Sequence, residues 1–177
     1  MHGKTTVTDY IRNTLKHTNL YRLNGISDSS IVGKEKSKKM YFNLVDYMKN
    51  MENLDINLLF DRTFFSEENY CRLSKKDYSF TDVYLELVKN LDKLDFDIYY
   101  ITLYIKDFKK YEKRLLRDNK TSPDYAKYTV ENSLKQQQVY LDMADELKGI
   151  SENIKIYKVA NDSDVDSLYK QIDEIII

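Results

Sequence analysis

The sequence predicts an α/β fold whose parallel sheet is covered by helices on both faces, and three observations carry this. Short apolar runs of strand length alternate with amphipathic stretches of helical length along the whole chain. The 177 residues include only 4 Gly and 1 Pro, too few for a fold built on many tight turns. Each strand candidate is followed by a helix candidate long enough to cross over, which implies right-handed βαβ units and parallel strands. The length is that of one large domain with a sizeable core, so residues 1–177 are expected to form a single domain.

The elements follow in order. Thr5 to Lys16 reads as a helix, with Val7, Tyr10, Ile11 and Leu15 at helical spacing. Leu20 to Leu23 is a short strand ended by Asn24-Gly25. Residues 34–52 form an amphipathic helix that buries Tyr41, Leu44, Val45, Met48 and Met51. Ile56 to Phe60 is apolar throughout, as in a strand buried on both faces. Residues 64–74 and 80–94 read as helices, the second with a stripe of Val83, Tyr84, Leu87, Val88 and Leu91. Phe96 to Ile105 is rich in Ile and Tyr and is the strongest strand. A charged helix runs from Lys106 to about Asp118. Thr121-Ser122-Pro123-Asp124 opens a long helix to about Lys148, with Pro at a position the first turn allows. Ile154 to Ala160 is a strand, and Asp164 to Ile176 closes the chain as a helix with Val165, Leu168, Tyr169 and Ile172 inward.

Composition removes several classes of function. Lys and Arg number 28 against 29 Asp and Glu, a net charge of -1, so nothing like the global basic field of a nucleic-acid binder is present. Cys71 is the single cysteine and has no internal disulfide partner. No apolar run approaches the roughly 18 residues of a membrane span, and Met1-His2-Gly3-Lys4 has no signal-like apolar stretch. A soluble cytoplasmic protein without membrane or nucleic-acid partners is expected.

Three constellations carry chemistry. Gly3-Lys4-Thr5-Thr6 opens the first helix and matches the tail of the phosphate loop G-x-x-x-x-G-K-[ST]. Backbone N–H groups and the dipole at a helix start favour a phosphate there. Lys4 would reach the β- and γ-phosphates and the Thr5 hydroxyl would ligate Mg²⁺; the plainer reading is an ordinary lysine in a first turn. Asp61-Arg62 follows the buried strand, at the carboxyl edge where α/β sheets hold ligands. A metal and a phosphate suit that pair; the plainer reading is a helix cap on Asp61 or Thr63, with Arg62 paired to an acid. Lys106, Lys110, Lys113, Arg114 and Arg117 share one helical face, suited to closing over phosphates or simply to facing solvent. Other residues carry less. His2 and His17 stand alone, and Cys71 reads as packing. Gln136, Gln137, Gln138 and Tyr140 read as base contacts or as a helix surface. Asn161-Asp162 follows the last strand, where an adenine could rest.

In combination these residues resemble the thymidylate kinase and deoxynucleoside kinase branch of the P-loop kinases, in order and spacing over nearly the whole chain. The resemblance implies a three-layer α/β/α kinase fold, ATP and Mg²⁺ as cofactors, and a nucleotide or nucleoside substrate. It implies phosphoryl transfer using Lys4, Asp61, Arg62, Arg114 and Arg117, with 106–120 as a basic lid. ATP would lie on Gly3, Lys4, Thr5, Thr6 and Asn161, and Mg²⁺ on Thr5 and Asp61. Homodimers are frequent in that branch. Two places depart from the pattern. Thymidylate kinases carry Arg-Glu-Pro where this chain has Arg22-Leu23-Asn24, and they begin with a central strand that precedes the phosphate loop. The expectation is that Met1 is an internal methionine of a longer kinase. The acceptor is expected to be a deoxynucleoside monophosphate, whose oxygen is already anionic and needs no base. The alternatives are a deoxynucleoside, with Asp61 or Asp28 as base, and a non-catalytic nucleotide-binding or interaction protein with a degenerate phosphate loop.

Overall fold

The structure is a computed structural model of the chain that describes residues 3–118 and 129–177, without the side chains of residues 115, 117 and 118. Its elements are α1 (Lys4–Thr14), β1 (Thr18–Arg22), α2 (Ile31–Asn50), β2 (Asn57–Asp61), α3 (Phe64–Arg72), α4 (Thr81–Leu91), β3 (Ile98–Tyr104), α5 (Phe108–Asp118), α6 (Val130–Ile150), β4 (Ile154–Ala160) and α7 (Val165–Ile176). Type and order agree with the sequence reading, with ends shifted by a few residues. The expected helix start at Thr121 lies outside the described residues. Thr129 caps α6, its hydroxyl accepting from the Asn132 N–H at 3.1 Å.

The helical stripes fall where apolar periodicity puts them. Tyr41, Val45 and Met48 of α2 and Val83, Tyr84, Leu87, Val88 and Leu91 of α4 are buried, together with Met143 and Leu147 of α6. They form one core with Leu58 and Phe60 of β2 and Ile98 and Tyr100 of β3. A second core lies on the other face, built from Val7 and Ile11 of α1 and Leu168 and Ile172 of α7. Leu59 of β2, Ile101 and Leu103 of β3 and Val159 of β4 complete it. The alternation of Leu58, Leu59 and Phe60 between the two cores is the period-2 rule of a strand covered on both faces. Val165 departs from expectation at 46% exposure. It is the first residue of α7, directly after the N-cap Asp164, before the helix has reached the core.

The strands are parallel and covered on both faces as expected, and with the central first strand missing, as also expected, they form two pairs, β1 with β2 and β3 with β4. Both pairs are covered by the same two cores, so they share one layer between helices. The chain passes from β2 to β3 through α3 and α4, and each of these two strands has a partner strand on one side only among the described residues. No described residue supplies a strand between them, and the resemblance implies one at that place. With a neighbour on one side only, β2 is half-buried and not sealed as its sequence implies.

Candidate active site

The described polar candidates converge at the carboxyl ends of the strands. Gly3 is the N-cap of α1 with φ +88°. The left-handed backbone favours glycine, and a Cβ there would stand 2.4 Å from Asn161 Nδ2 and push that amide aside. Lys4 follows, and its Nζ lies 2.8 Å from Asp61 Oδ1, the last residue of β2. Burial pulls the Lys4 ammonium below the usual lysine value, against the Asp61 hydrogen bond and with the added repulsion of Arg62. Arg62 itself has φ +74°, a left-handed conformation that costs a non-glycine residue about 1 kcal/mol or more. The helix cap of the plainer reading falls on Thr63 and not on Asp61. Thr63 caps α3, its hydroxyl accepting from Phe65 N–H at 3.5 Å. Asp61 and Arg62 are therefore free of that local duty.

The basic helix reaches the same place from the far side. Arg114 donates to the Asn161 backbone oxygen at 2.9 Å, and Asn161 is the residue against Gly3. Lys110 reaches the backbone oxygen of Asp162. Lys110, Lys113 and Arg114 with Asp162, Ser163 and Asp164 line a cavity of about 360 Å³. Lys110 and Arg114 of the stripe thus reach a loop of the site, while Lys106, Lys110 and Lys113 remain exposed. Lys106 precedes the helix and lies over the Tyr104 ring at 5.8 Å. The Arg117 side chain lies outside the described set. Thr5 and Thr6 are exposed in the first turn of α1.

Residues that sequence reasoning missed lie beyond β1 and in α3. Glu67 is only 1% exposed. Its Oε1 accepts from Tyr78 OH at 2.5 Å and is 3.5 Å from Lys76 Nζ. Its Oε2 would be 3.3 Å from a Cβ on Gly25, and the Tyr41 hydroxyl 3.9 Å from the same point. The Tyr41 phenol is pushed up by burial first, then by Glu67, with Arg62 acting the other way, so both charges act on this phenol. The Tyr140 hydroxyl donates to Ser66 Oγ at 2.9 Å, and Arg62 also acts on its phenol. A signal was present: Phe64, Glu67 and Cys71 share a helical face, which puts an acid on the buried side.

Other expectations are corrected by where the side chains point. Asp28 is engaged with Ser30 N–H at 3.0 Å, Ser30 Oγ at 2.6 Å and Lys36 Nζ at 3.0 Å, so it stands as a turn former and not as a base. Arg22 pairs with Asp9 at 2.5 Å. The Gln137 and Gln138 side chains are spent within the fold, and of Gln136 the backbone is engaged. The Gln136 backbone oxygen accepts from Asn69, Gln137 is buried against Ile105, and Gln138 bonds Asp142. Asp162 likewise is turned to the backbone of Lys106 and Asp107. Burial pushes the Cys71 thiol up to about 12, which keeps it protonated and fits its reading as packing. His17 helps line a second cavity of about 440 Å³, with Arg12, Lys16 and Asn19, at the opposite end of β1.

Among the described residues no group of three or more His, Cys, Asp or Glu could cage a metal. Asp61 and the Thr5 hydroxyl are hard oxygen donors of the kind Mg²⁺ takes when phosphate oxygens and water complete its shell, so the residues present fit that ion. No described helix is long and apolar enough to cross a membrane.

No protein-family model matches the chain, and no curated protein is significantly similar in sequence. Two solved structures are similar in fold. Thymidylate kinase from Candida albicans aligns with a TM-score of 0.62 at 16% identity, over 99% of this chain and 86% of that one. Deoxyadenosine kinase from M. mycoides, solved with bound dCTP, aligns with a TM-score of 0.55 at 18% identity, over 99% of this chain and 93% of that one. At these identities the likeness shows the fold, an α/β arrangement of parallel strands flanked by helices that matches P-loop kinases.

Proposed function

We propose that the chain is an ATP-dependent, thymidylate-kinase-like nucleotide kinase that transfers the γ-phosphoryl of ATP to a deoxynucleoside monophosphate. The observation that carries this reading is the meeting of Lys4, Asp61 and Arg62 where α1 begins and β2 ends. Backbone N–H groups at the start of α1 and the Lys4 ammonium would hold the donor phosphates. Mg²⁺, when bound, neutralises β- and γ-oxygen charge, and Thr5 and Asp61 are the residues that would hold it. Arg62, exposed and preset by its backbone, would grip the acceptor phosphate with its planar fork. Arg114, with Arg117 beside it in sequence, would stabilise charge on the phosphoryl in flight.

A monophosphate acceptor is favoured because carboxylates suited to base catalysis are engaged. Asp28 is committed to Ser30 and Lys36, and Asp61 is paired with Lys4. A deoxynucleoside acceptor is a second reading, favoured by that same pair: a phosphate that takes Lys4 would release Asp61 to act as base.

The test is a transfer panel of MgATP with each deoxynucleoside and each monophosphate, beside Lys4→Ala and Arg62→Ala. Turnover of one monophosphate is expected, lowered about 10²- to 10³-fold by Lys4→Ala, with Arg62→Ala raising KM for the acceptor. Turnover of a nucleoside alone would move the assignment to the second reading. Nucleotide binding with no turnover on the whole panel would leave a non-catalytic binder.

A further inference from the structure

The junction between β3 and α5 is held by side chains from two other elements. Gln137 of α6, 9% exposed, binds both backbone groups of Ile105: its Oε1 accepts from the N–H at 2.9 Å and its Nε2 donates to the C=O at 3.0 Å. Asp162, in the loop after β4, takes the next two amides. Its Oδ1 accepts from Lys106 N–H at 2.9 Å and from Asp107 N–H at 2.8 Å. Asp107 then caps α5 by accepting from Lys109 N–H at 2.9 Å. Three consecutive residues leaving β3 are thus fixed from both sides before the cationic helix starts. The same short loop holds Asn161, which touches Gly3 and accepts from Arg114.

We infer that Asp162 and Gln137 are positioning residues: they clamp residues 105–107 and so set where α5 holds its cations relative to the start of α1. The physical reason is leverage. A helix pivots at its first residues, and a small change of direction at 107 is multiplied over two turns by the time it reaches Arg114. A carboxylate that receives two backbone N–H groups fixes that direction more firmly than a single neutral bond. Tyr111, buried in α5, gives the helix one further anchor, so loss of the clamp loosens α5 without unfolding the chain. The value of that placement for phosphate binding rests on the kinase reading; the clamp does not.

The test is made on the full chain with Cys71→Ser and nitroxide labels at Glu112→Cys in α5 and Lys170→Cys in α7, both exposed positions. The label distance should be narrow in the parent and broad in Asp162→Ala. Asp162→Asn, which keeps an oxygen acceptor, should restore the narrow distance. Amide exchange at Lys106 and Asp107 should speed up roughly tenfold or more in Asp162→Ala and stay near the parent rate in Asp162→Asn. A distance and exchange rates unmoved in Asp162→Ala overturn the clamp, and so does an Asp162→Asn variant as loose as Asp162→Ala. In the same samples, inorganic tripolyphosphate should bind roughly tenfold more weakly to Asp162→Ala and to Arg114→Ala, with no further loss in the double variant. Absence of tripolyphosphate binding in the parent would count against the kinase reading and leave the clamp to be decided by the distance and exchange data.

Discussion

Arg62 holds a backbone conformation unfavourable to its own residue type, which the proposed acceptor-phosphate role would explain. Its φ of +74° is one that glycine adopts freely and arginine does not. Arg62→Gly should therefore raise stability by about 1 kcal/mol in urea denaturation with an unchanged m-value, and on the proposed function it should raise KM for the acceptor. A loss of stability in Arg62→Gly would mean that the guanidinium has structural duties instead. Asp28 gives a second prediction at this scale. Its hydrogen bonds from Ser30, side chain and backbone, and then Lys36 hold its carboxyl at about 2. A depressed carboxyl contributes order that is complete above its ordinary value and is lost as pH falls through the folded one. The turn at 28–30 should persist at about pH 4 and come apart only near pH 2, read from the amide shift of Ser30; loss of that shift already at pH 4 would refute it.

At the scale of elements, α3 is tied to α6 through charge. Arg72 donates to Glu68 Oε1 at 2.8 Å and to Glu146 at 2.9 Å, and Glu68 also receives Thr81 Oγ1 at 2.8 Å. Glu68 is fully buried, so removing Arg72 strands a carboxylate in the core. Arg72→Ala should cost about 3 kcal/mol, and adding Glu68→Gln should recover part of it by removing the orphaned charge. A cost under about 1 kcal/mol, or no recovery, would show that Glu68 is satisfied without its partner. The clamp on α5 belongs to the same scale and has its own pH sign. Burial opposes the Asp162 charge, and the N–H groups of Asp107 and Lys106 with nearby lysines outweigh it, so its carboxyl is held low. Its contribution is present above the ordinary carboxylate range and fades as pH falls through the lowered value.

For the molecule as a whole, the division of the strands into two pairs is the feature with the widest consequence. In a parallel pair, alternate residues turn their N–H and C=O groups to the neighbour and the next turn them away. The groups of β2 and β3 that turn away from their partners have no strand to meet among the described residues. Alternate amides along β2 and β3 should therefore exchange with solvent orders of magnitude faster than those bonded within each pair. Uniform protection along β2 would show that the edge is covered in solution. The two cores span both pairs, so a single cooperative unfolding transition is expected even with the sheet divided.

Sequence by itself determined the elements and the chemistry at their ends. The apolar stripe of α4, the Ile- and Tyr-rich strand β3 and Gly3-Lys4 at a helix start are local patterns, and local patterns are what spacing and side-chain type encode. Lys4, Asp61, Arg62 and Asn161 were legible because they follow a strand or open a helix, and Arg114 because it shares a helical face with other cations. Tertiary structure alone decided which of them meet and which others are spent elsewhere. Lys4 and Asp61 are 57 positions apart, and only the crossover brings them to 2.8 Å. Gln137 and Asp162 look like surface or ligand residues in sequence, yet they clamp a junction 32 and 56 positions away. Glu67 looks like one more charge on a helix until its neighbours close over it. A polar side chain's role depends on which unpaired group lies within hydrogen-bond reach, and that is settled by packing between elements distant in the chain.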